Sequence, residues 1–304
     1  MGSWQRFLWQ YRVCTRRHWH PPLFPTGEHM LSRRITRREL LRWSAGSLLS
    51  AGIWPGVVQA GESAPQAHFS FLVVNDLHHL DQKGEPWLEA LVKQMKTHAE
   101  RPEFLLLVGD LAEGGKPQEL GPVRDAFKQL AMPVYEVIGN HDYQEPDDRR
   151  AFEDLFPGRL NYRFEHRGWQ FVGLDSTAGA RGSGVAVQPA TLRWLDEHVP
   201  KLDRSRPTVL FTHFPLGPLT PARAVNANDV LDRFKEINLQ AVFNGHYHAF
   251  TERFVRSAPV TTNCCCSFFR NNHDGSKDKG YFLCQARDGK VARQFIPMKL
   301  MGKG

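Results

Sequence analysis

The sequence predicts a layered α/β domain, and two observations carry that prediction. Beyond residue 68, short apolar runs of strand length alternate with amphipathic stretches of helical period. Most of these runs lead directly, or through one glycine, into Asp, Asn or His. Polar side chains therefore stand at the C-terminal ends of buried strands, where open α/β sheets carry their active sites.

The elements follow in order. Phe69–Val74 reads as a buried strand ending in Asn75-Asp76. Pro86–Ala99 has helical spacing, with Trp87, Leu88, Leu91, Val92 and Met95 on one face. Phe104–Val108 reads as a second strand before Gly109-Asp110, and residues 117–131 as a helix with Leu120, Val123, Phe127 and Leu130 inward. Val134–Ile138 is a third strand, before Gly139-Asn140-His141-Asp142, and residues 147–156 are a short charged helix. Tyr162–Glu165 and Gln170–Leu174 flank His166-Arg167-Gly168 as a hairpin. A helix over 188–199, a strand Thr208–Phe211 before Thr212-His213, a helix Ala224–Ile237 and a strand Ala241–Phe243 before Gly245-His246-Tyr247-His248 complete the alternation. From Phe254 to Pro297 the pattern alternates as antiparallel strands do, with Asp288-Gly289 as a turn.

Charge is unevenly distributed. The net charge is +7, but residues 1–60 hold nine arginines and no lysine against Glu28 and Glu39, which is the whole excess. The remaining chain is neutral, so the basic balance gives no strong nucleic-acid signal. Thr36-Arg37-Arg38-Glu39-Leu40-Leu41-Arg42 resembles the twin-arginine (Tat) export motif, with Leu40 and Arg42 as mild departures. A modest apolar stretch, Trp43 to Val58, follows and ends in Val58-Gln59-Ala60, a cleavage pattern. It is shorter than the ~20 residues a spanning helix needs, and Pro55 would break its last turn. The expectation is a start at Met30, an upstream extension at 1–29, a signal peptide at 30–60, a single catalytic domain at 61–304, and no stable membrane anchor. Export would engage the Tat translocase and deliver the protein to the periplasm or outside the cell.

Five segments share metal-capable side chains directly after a strand: Asp76-Leu77-His78, Gly109-Asp110, Gly139-Asn140-His141-Asp142, Thr212-His213 and Gly245-His246-Tyr247-His248. In extended chain, residues i and i+2 face one side, so Asp76 with His78, and His246 with His248, are expected to converge. Mixed carboxylate, imidazole and amide donors suit divalent Mn, Fe or Zn. Two such ions can activate a bridging hydroxide for in-line attack on phosphorus.

The ordered set resembles the calcineurin-like metallophosphoesterase superfamily over residues 76–248. The resemblance implies a four-layer αββα sandwich of two mixed β-sheets flanked by helices. It implies one metal on Asp76, His78, Asp110 and His248, and another on Asp110, Asn140, His213 and His246. It gives His141 the phosphate contact and the leaving-group proton, with Asp142 tuning it. Glu113 stands where many members have Asp, and together with His78 it speaks against the iron–tyrosinate subgroup.

Substrate is less legible. The superfamily includes monoesterases, cyclic nucleotide phosphodiesterases, nucleases and phospholipid-directed enzymes, and the motif layout is most similar to the cyclic-nucleotide subgroup. A monoesterase and a non-catalytic metal- or phosphate-binding protein are the alternatives. Two loops are candidates for substrate contacts: Arg223 with Asn226 and Asn228, and Phe268 to Asp274 with Arg270 and Asn271. His79 is expected to face away from the site, and His98, His166 and His198 receive no role. Cys264–Cys266 and Cys284 read either as small buried residues or as one bridge from Cys284 to the run, and Cys14 falls upstream.

Overall fold

The computed structural model describes residues 68–298. The expected export signal at 30–60, the upstream residues 1–29 and Cys14 lie outside them. Eleven strands and five α-helices follow one another in the described residues. The first half runs β1 (Phe69–Val74), α1 (Glu85–Met95), β2 (Leu105–Val108), α2 (Pro117–Lys128), β3 (Val134–Val137) and α3 (Arg150–Leu155). Then come β4 (Tyr162–His166), β5 (Trp169–Leu174), α4 (Pro189–His198), β6 (Thr208–Thr212), α5 (Ala227–Arg233) and β7 (Leu239–Asn244). The described residues end in two hairpins, β8 (Thr251–Val255) with β9 (Ala258–Thr262), and β10 (Gly280–Arg287) with β11 (Lys290–Pro297).

The strands form two mixed sheets, ordered β11-β10-β1-β2-β3 and β4-β5-β6-β7-β9-β8. The pairs β1–β2, β2–β3, β5–β6, β6–β7 and β7–β9 are parallel, and β1–β10, β10–β11, β4–β5 and β8–β9 are antiparallel. Side-chain alternation builds the layers. On β1, Phe71 and Val73 meet Phe171, Phe211 and Phe243 of the opposite sheet. Leu72 and Val74 point the other way, to Leu88 and Leu91 of α1 and to Leu120 and Val123 of α2. The far face of the second sheet, with Val172, Leu210 and Val242, packs on Leu195 of α4 and Val230 and Leu231 of α5. The result is helix, sheet, sheet, helix, the four layers the resemblance implies. Pro86, Pro117 and Pro189 stand in the first turns of α1, α2 and α4, where a missing N–H costs nothing.

The structure corrects several expectations. The charged helix of 147–156 shortens to α3, and the helix of 224–237 to α5. Residues 224–226 are held instead by loop contacts, including Asn226 against Val187. The C-terminal alternation does not form one antiparallel run. β9 adds in parallel to β7, β10 crosses to the other sheet beside β1, and residues 263–279 connect the two sheets without a strand. Alternation specifies which face a side chain takes, not which strand lies alongside. All four described cysteines are buried free thiols, so the bridge from Cys284 does not form. Among the described residues, no helix is long and apolar enough to cross a membrane.

Candidate metal centre

Each functional side chain leaves the end of a parallel strand. Asp76 follows β1 and Asp110 follows β2. Asn140–Asp142 form a 3-10 turn after β3, His213 follows β6, and His246 and His248 follow β7. Backbone bonds tie the loops together: Asp76 N–H donates to Gly109 O (3.1 Å), His78 N–H to Asp110 O (2.9 Å) and Gly245 N–H to His213 O (2.9 Å).

The side chains do not converge through extended alternation. Asp76, His78, Asp110, His246 and His248 all take left-handed conformations, with φ of 53°, 45°, 51°, 70° and 49°. Non-glycine residues seldom adopt this region, and such strain gathers at functional sites. The chain therefore turns sharply at each donor. His246 and His248 consequently part, one to each of the two clusters described next. Gly139 is needed for closeness rather than for an unusual φ. A Cβ there would stand 2.2 Å from both the Asp110 amide nitrogen and Oδ1.

Two clusters share Asp110, and a third group, His78, Glu113 and His141, adjoins the first. Asp76, His78, Asp110 and His248 each bring one donor atom within 4.8 Å of the others, and so do Asp110, His213 and His246. Asp110 belongs to both. In the first, His78 Nε2 lies 2.9 Å from His248 Nε2 and 3.5 Å from Asp110 Oδ2, and His248 Nε2 lies 3.5 Å from Asp76 Oδ1. In the second, His213 Nε2 is 3.2 Å from Asp110 Oδ1 and 3.2 Å from Asn140 Oδ1.

Three imidazoles have their tautomer set by carbonyl oxygens, which only accept. His213 Nδ1 meets Val108 O at 3.1 Å, His246 Nε2 meets Gly182 O at 2.8 Å, and His248 Nδ1 meets Asn271 O at 3.3 Å. The N–H is fixed on that nitrogen in each ring, which leaves the other lone pair for a metal.

The electrostatics point the same way. Burial would raise the Asp76 carboxyl, but His248 and His213 hold it at about 2. Burial likewise opposes ionisation of Asp110, yet His213 and His78 keep it well below the usual carboxylate range. The carboxylates act back on the rings. Against burial, Asp110 and Asp76 push His213 up to about 9, and Asp76 with Cys265 pushes His248 up to about 11. His246 goes the other way, to about 4, through burial and the neighbouring His213. Two buried carboxylates thus draw protons on to nearby rings, the charge balance a divalent cation replaces when it displaces those protons. The donor set fits divalent ions.

The remaining candidates separate. His141 is part-exposed, with its ring centroid 4.7 Å from that of His78 and its Nδ1 2.9 Å from Glu113 O. Asp142 does not reach His141. Its carboxylate accepts from the amides of Leu111, Ala112 and Gly139 at 2.8–2.9 Å, which locks the β2 and β3 loops together. The tuning the resemblance implies therefore has no direct contact behind it. Arg270 forms a two-pronged ion pair with Glu113, whose Oε2 lies 3.1 Å from His78 Nδ1, so Arg270 stands beside the first cluster. Asn271 touches the site through its backbone carbonyl. Arg223 bonds Leu216 O and Asn228, and the Asn226 amide is closed on the Val187 backbone. His79 is buried and bonds Glu119 O, outside both clusters. Sequence reasoning noted Glu113 as a departure from the family pattern without giving it a contact, and it missed Gly182. Nothing in the sequence marks the Gly182 carbonyl.

This fold with these donors defines a class, the metallophosphoesterase scaffold. The chain belongs to the calcineurin-like phosphoesterase family, which it matches over residues 69–250. It is similar to a probable cyclic nucleotide phosphodiesterase of Synechococcus sp., 31% identical over 173 residues, covering 54% of this chain and 64% of that protein. It is also similar to the glycerophosphodiester phosphodiesterase GpdQ of Enterobacter lignolyticus, 26% identical over 187 residues, covering 57% and 65%. The matched region spans just under two thirds of each of these relatives. The fold is that of a dimetal phosphatase from Danio rerio, with a TM-score of 0.59 at 16% identity, over 76% of this chain and 99% of that one.

Proposed function

We propose that the protein is a dinuclear-metal-dependent hydrolase of phosphate diesters, of the cyclic-nucleotide type. The observation that carries the reading is Asp110, shared by two donor clusters in which His213, His246 and His248 are already held in metal-binding tautomers. Asp76, His78, Asp110 and His248 would hold one ion, and Asp110, Asn140, His213 and His246 the other. When bound, two divalent ions supply an activated water-derived nucleophile and the positive charge that stabilises the phosphoryl transition state. The protein's own part is positional. Donation to Glu113 O holds one His141 proton on Nδ1, so Nε2 would serve the departing oxygen only in the imidazolium form, in which it carries the second proton and gives that one up. The partial exposure of His141 supports that role, since a proton donor must be reachable by substrate.

The similar cyclic nucleotide and glycerophosphodiester enzymes support the diester reading. The test is product formation by the full chain loaded with Mn, Fe or Zn, on p-nitrophenyl phosphate, bis(p-nitrophenyl) phosphate and 3′,5′-cyclic AMP, beside Asn140→Ala. Diester cleavage lost in the variant is expected. Monoester cleavage alone would make the protein a phosphatase, and two bound ions without turnover a binding protein. The Tat-like residues 36–42 support export, and Arg37→Lys with Arg38→Lys should keep the protein in the cytoplasm. Unaltered export would remove that part of the reading.

A further inference from the structure

Not every cavity belongs to the metal centre. One of about 540 Å³ lies between β8 and β11, lined by Phe254 and Arg293 among others, and includes none of the candidate donors. A second, of about 430 Å³, lies beside the second donor cluster. Its wall includes Tyr143, one residue beyond the Asn140–Asp142 turn, and Arg181, whose neighbour Gly182 accepts from His246. A Cβ on Gly182 would stand 3.7 Å from Asn140 Nδ2 and 3.9 Å from His246 Cε1, so this loop passes in van der Waals contact with the cluster. The loop is pinned: Ala180 N–H donates to Pro146 O at 2.8 Å, and Gly179, at φ +64°, leaves no room for a side chain against that carbonyl.

The charges lining this cavity divide sharply. Arg149 is fully engaged, with Asp175 at 2.7 Å and Glu153 at 3.3 Å. Arg181 and Asp147 line the same space; both are exposed, and among the described residues neither has a hydrogen-bond or ion-pair partner. An exposed cation and an exposed anion facing one cavity, with Arg181 next to the Gly182 carbonyl that His246 meets, suit a ligand that brings both an anionic oxygen and a hydroxyl donor. Arginine matches the oxygens of a phosphate, and a carboxylate accepts from an alcohol.

We propose that this cavity receives the alcohol half of the substrate, which is a phosphodiester with free hydroxyls on that half. Arg181 contacts a non-bridging phosphate oxygen, and Asp147 accepts from a hydroxyl. The proposal rests on the diesterase reading.

The test uses the metal-loaded full chain with two diesters, bis(p-nitrophenyl) phosphate, which has no hydroxyl, and sn-glycerol 3-phosphocholine. Arg181→Ala should raise KM about tenfold or more for both, with metal content and Tm unchanged because its side chain holds nothing in the fold. Asp147→Ala should reduce kcat/KM for the glycerol diester alone. KM within twofold of wild type for Arg181→Ala, or equal losses on both diesters for Asp147→Ala, overturns the proposal. Calorimetric binding of inorganic phosphate to the loaded protein separates the two readings. Weaker binding in Arg181→Ala upholds the phosphate contact even where neither diester is cleaved, and equal binding in that case refutes it.

Discussion

At the residue scale, Asp142 shows how adjacency in sequence differs from contact in space. It follows His141 directly, yet its fully buried carboxylate accepts three backbone amides and leaves the imidazole to Glu113 O. Burial and Asp110 push this carboxyl up to about 7, even against two of those donors. Asp142→Ala would strand three buried N–H groups, each costing about 1–3 kcal/mol unsatisfied. The expected outcome is a loss of at least about 3 kcal/mol by urea denaturation, and a loss below about 1 kcal/mol would show that water replaces the carboxylate. Asn226 is a similar case. Its amide closes a two-way clamp on Val187, so Asn226→Ala should cost about 1–2 kcal/mol while leaving KM for a diester unchanged. A raised KM at unchanged stability would return Asn226 to the substrate site. The metal-capable residues were legible because their chemistry is rare and their order specific. The clamp roles were not, since a side chain's type does not say whether it faces a ligand or a neighbouring loop.

At the scale of elements, the parallel strands were legible from apolar runs of the right length, and β1 came out with its expected bounds. What failed was partnership. The connection over residues 263–279 carries the chain from one sheet to the other, and no local pattern encodes that crossing. β3 carries a cost of its own. Glu136 is buried beneath Arg159 at 3.2 Å, and burial raises its carboxyl to about 7 despite that partner. An unfolded chain ionises Glu136 near 4.5, so between about 4.5 and 7 the folded state keeps a proton the unfolded state has released. Stability therefore falls as pH rises through that window, by up to about 3 kcal/mol at 1.36 kcal/mol per pKa unit. Glu136→Gln removes the ionisation, while Arg159 keeps its stacking over Tyr135 and Tyr162 at 5.0 and 4.9 Å. The variant should gain on wild type in thermal unfolding at pH 8 relative to pH 5, and a difference in Tm that does not change between those pH values would refute the account.

Over the described chain as a whole, the donors come from both sheets. Asp76, Asp110 and Asn140 follow strands of one, and His213, His246 and His248 follow strands of the other. Any ion bound there ties the two sheets together at the end where their loops meet, so metal removal should be felt as global stability rather than as a local loosening. It also leaves Asp76 and Asp110 buried with only rings and amides to balance them. An ion present at 100 times its dissociation constant adds about 2.7 kcal/mol to the folded state. For a domain of this size each kcal/mol moves Tm by about 2–4 °C. Chelation should thus lower Tm by about 5–10 °C for each ion removed, and restoring Mn, Fe or Zn should recover it. Asp110→Asn weakens both clusters at once, so its shift on chelation should be much smaller than that of wild type, whereas Asp147→Ala, outside both clusters, should keep the full shift. Wild-type protein with the same Tm before and after chelation would mean that the clusters hold protons rather than metal, and the phosphodiesterase reading would fall with them.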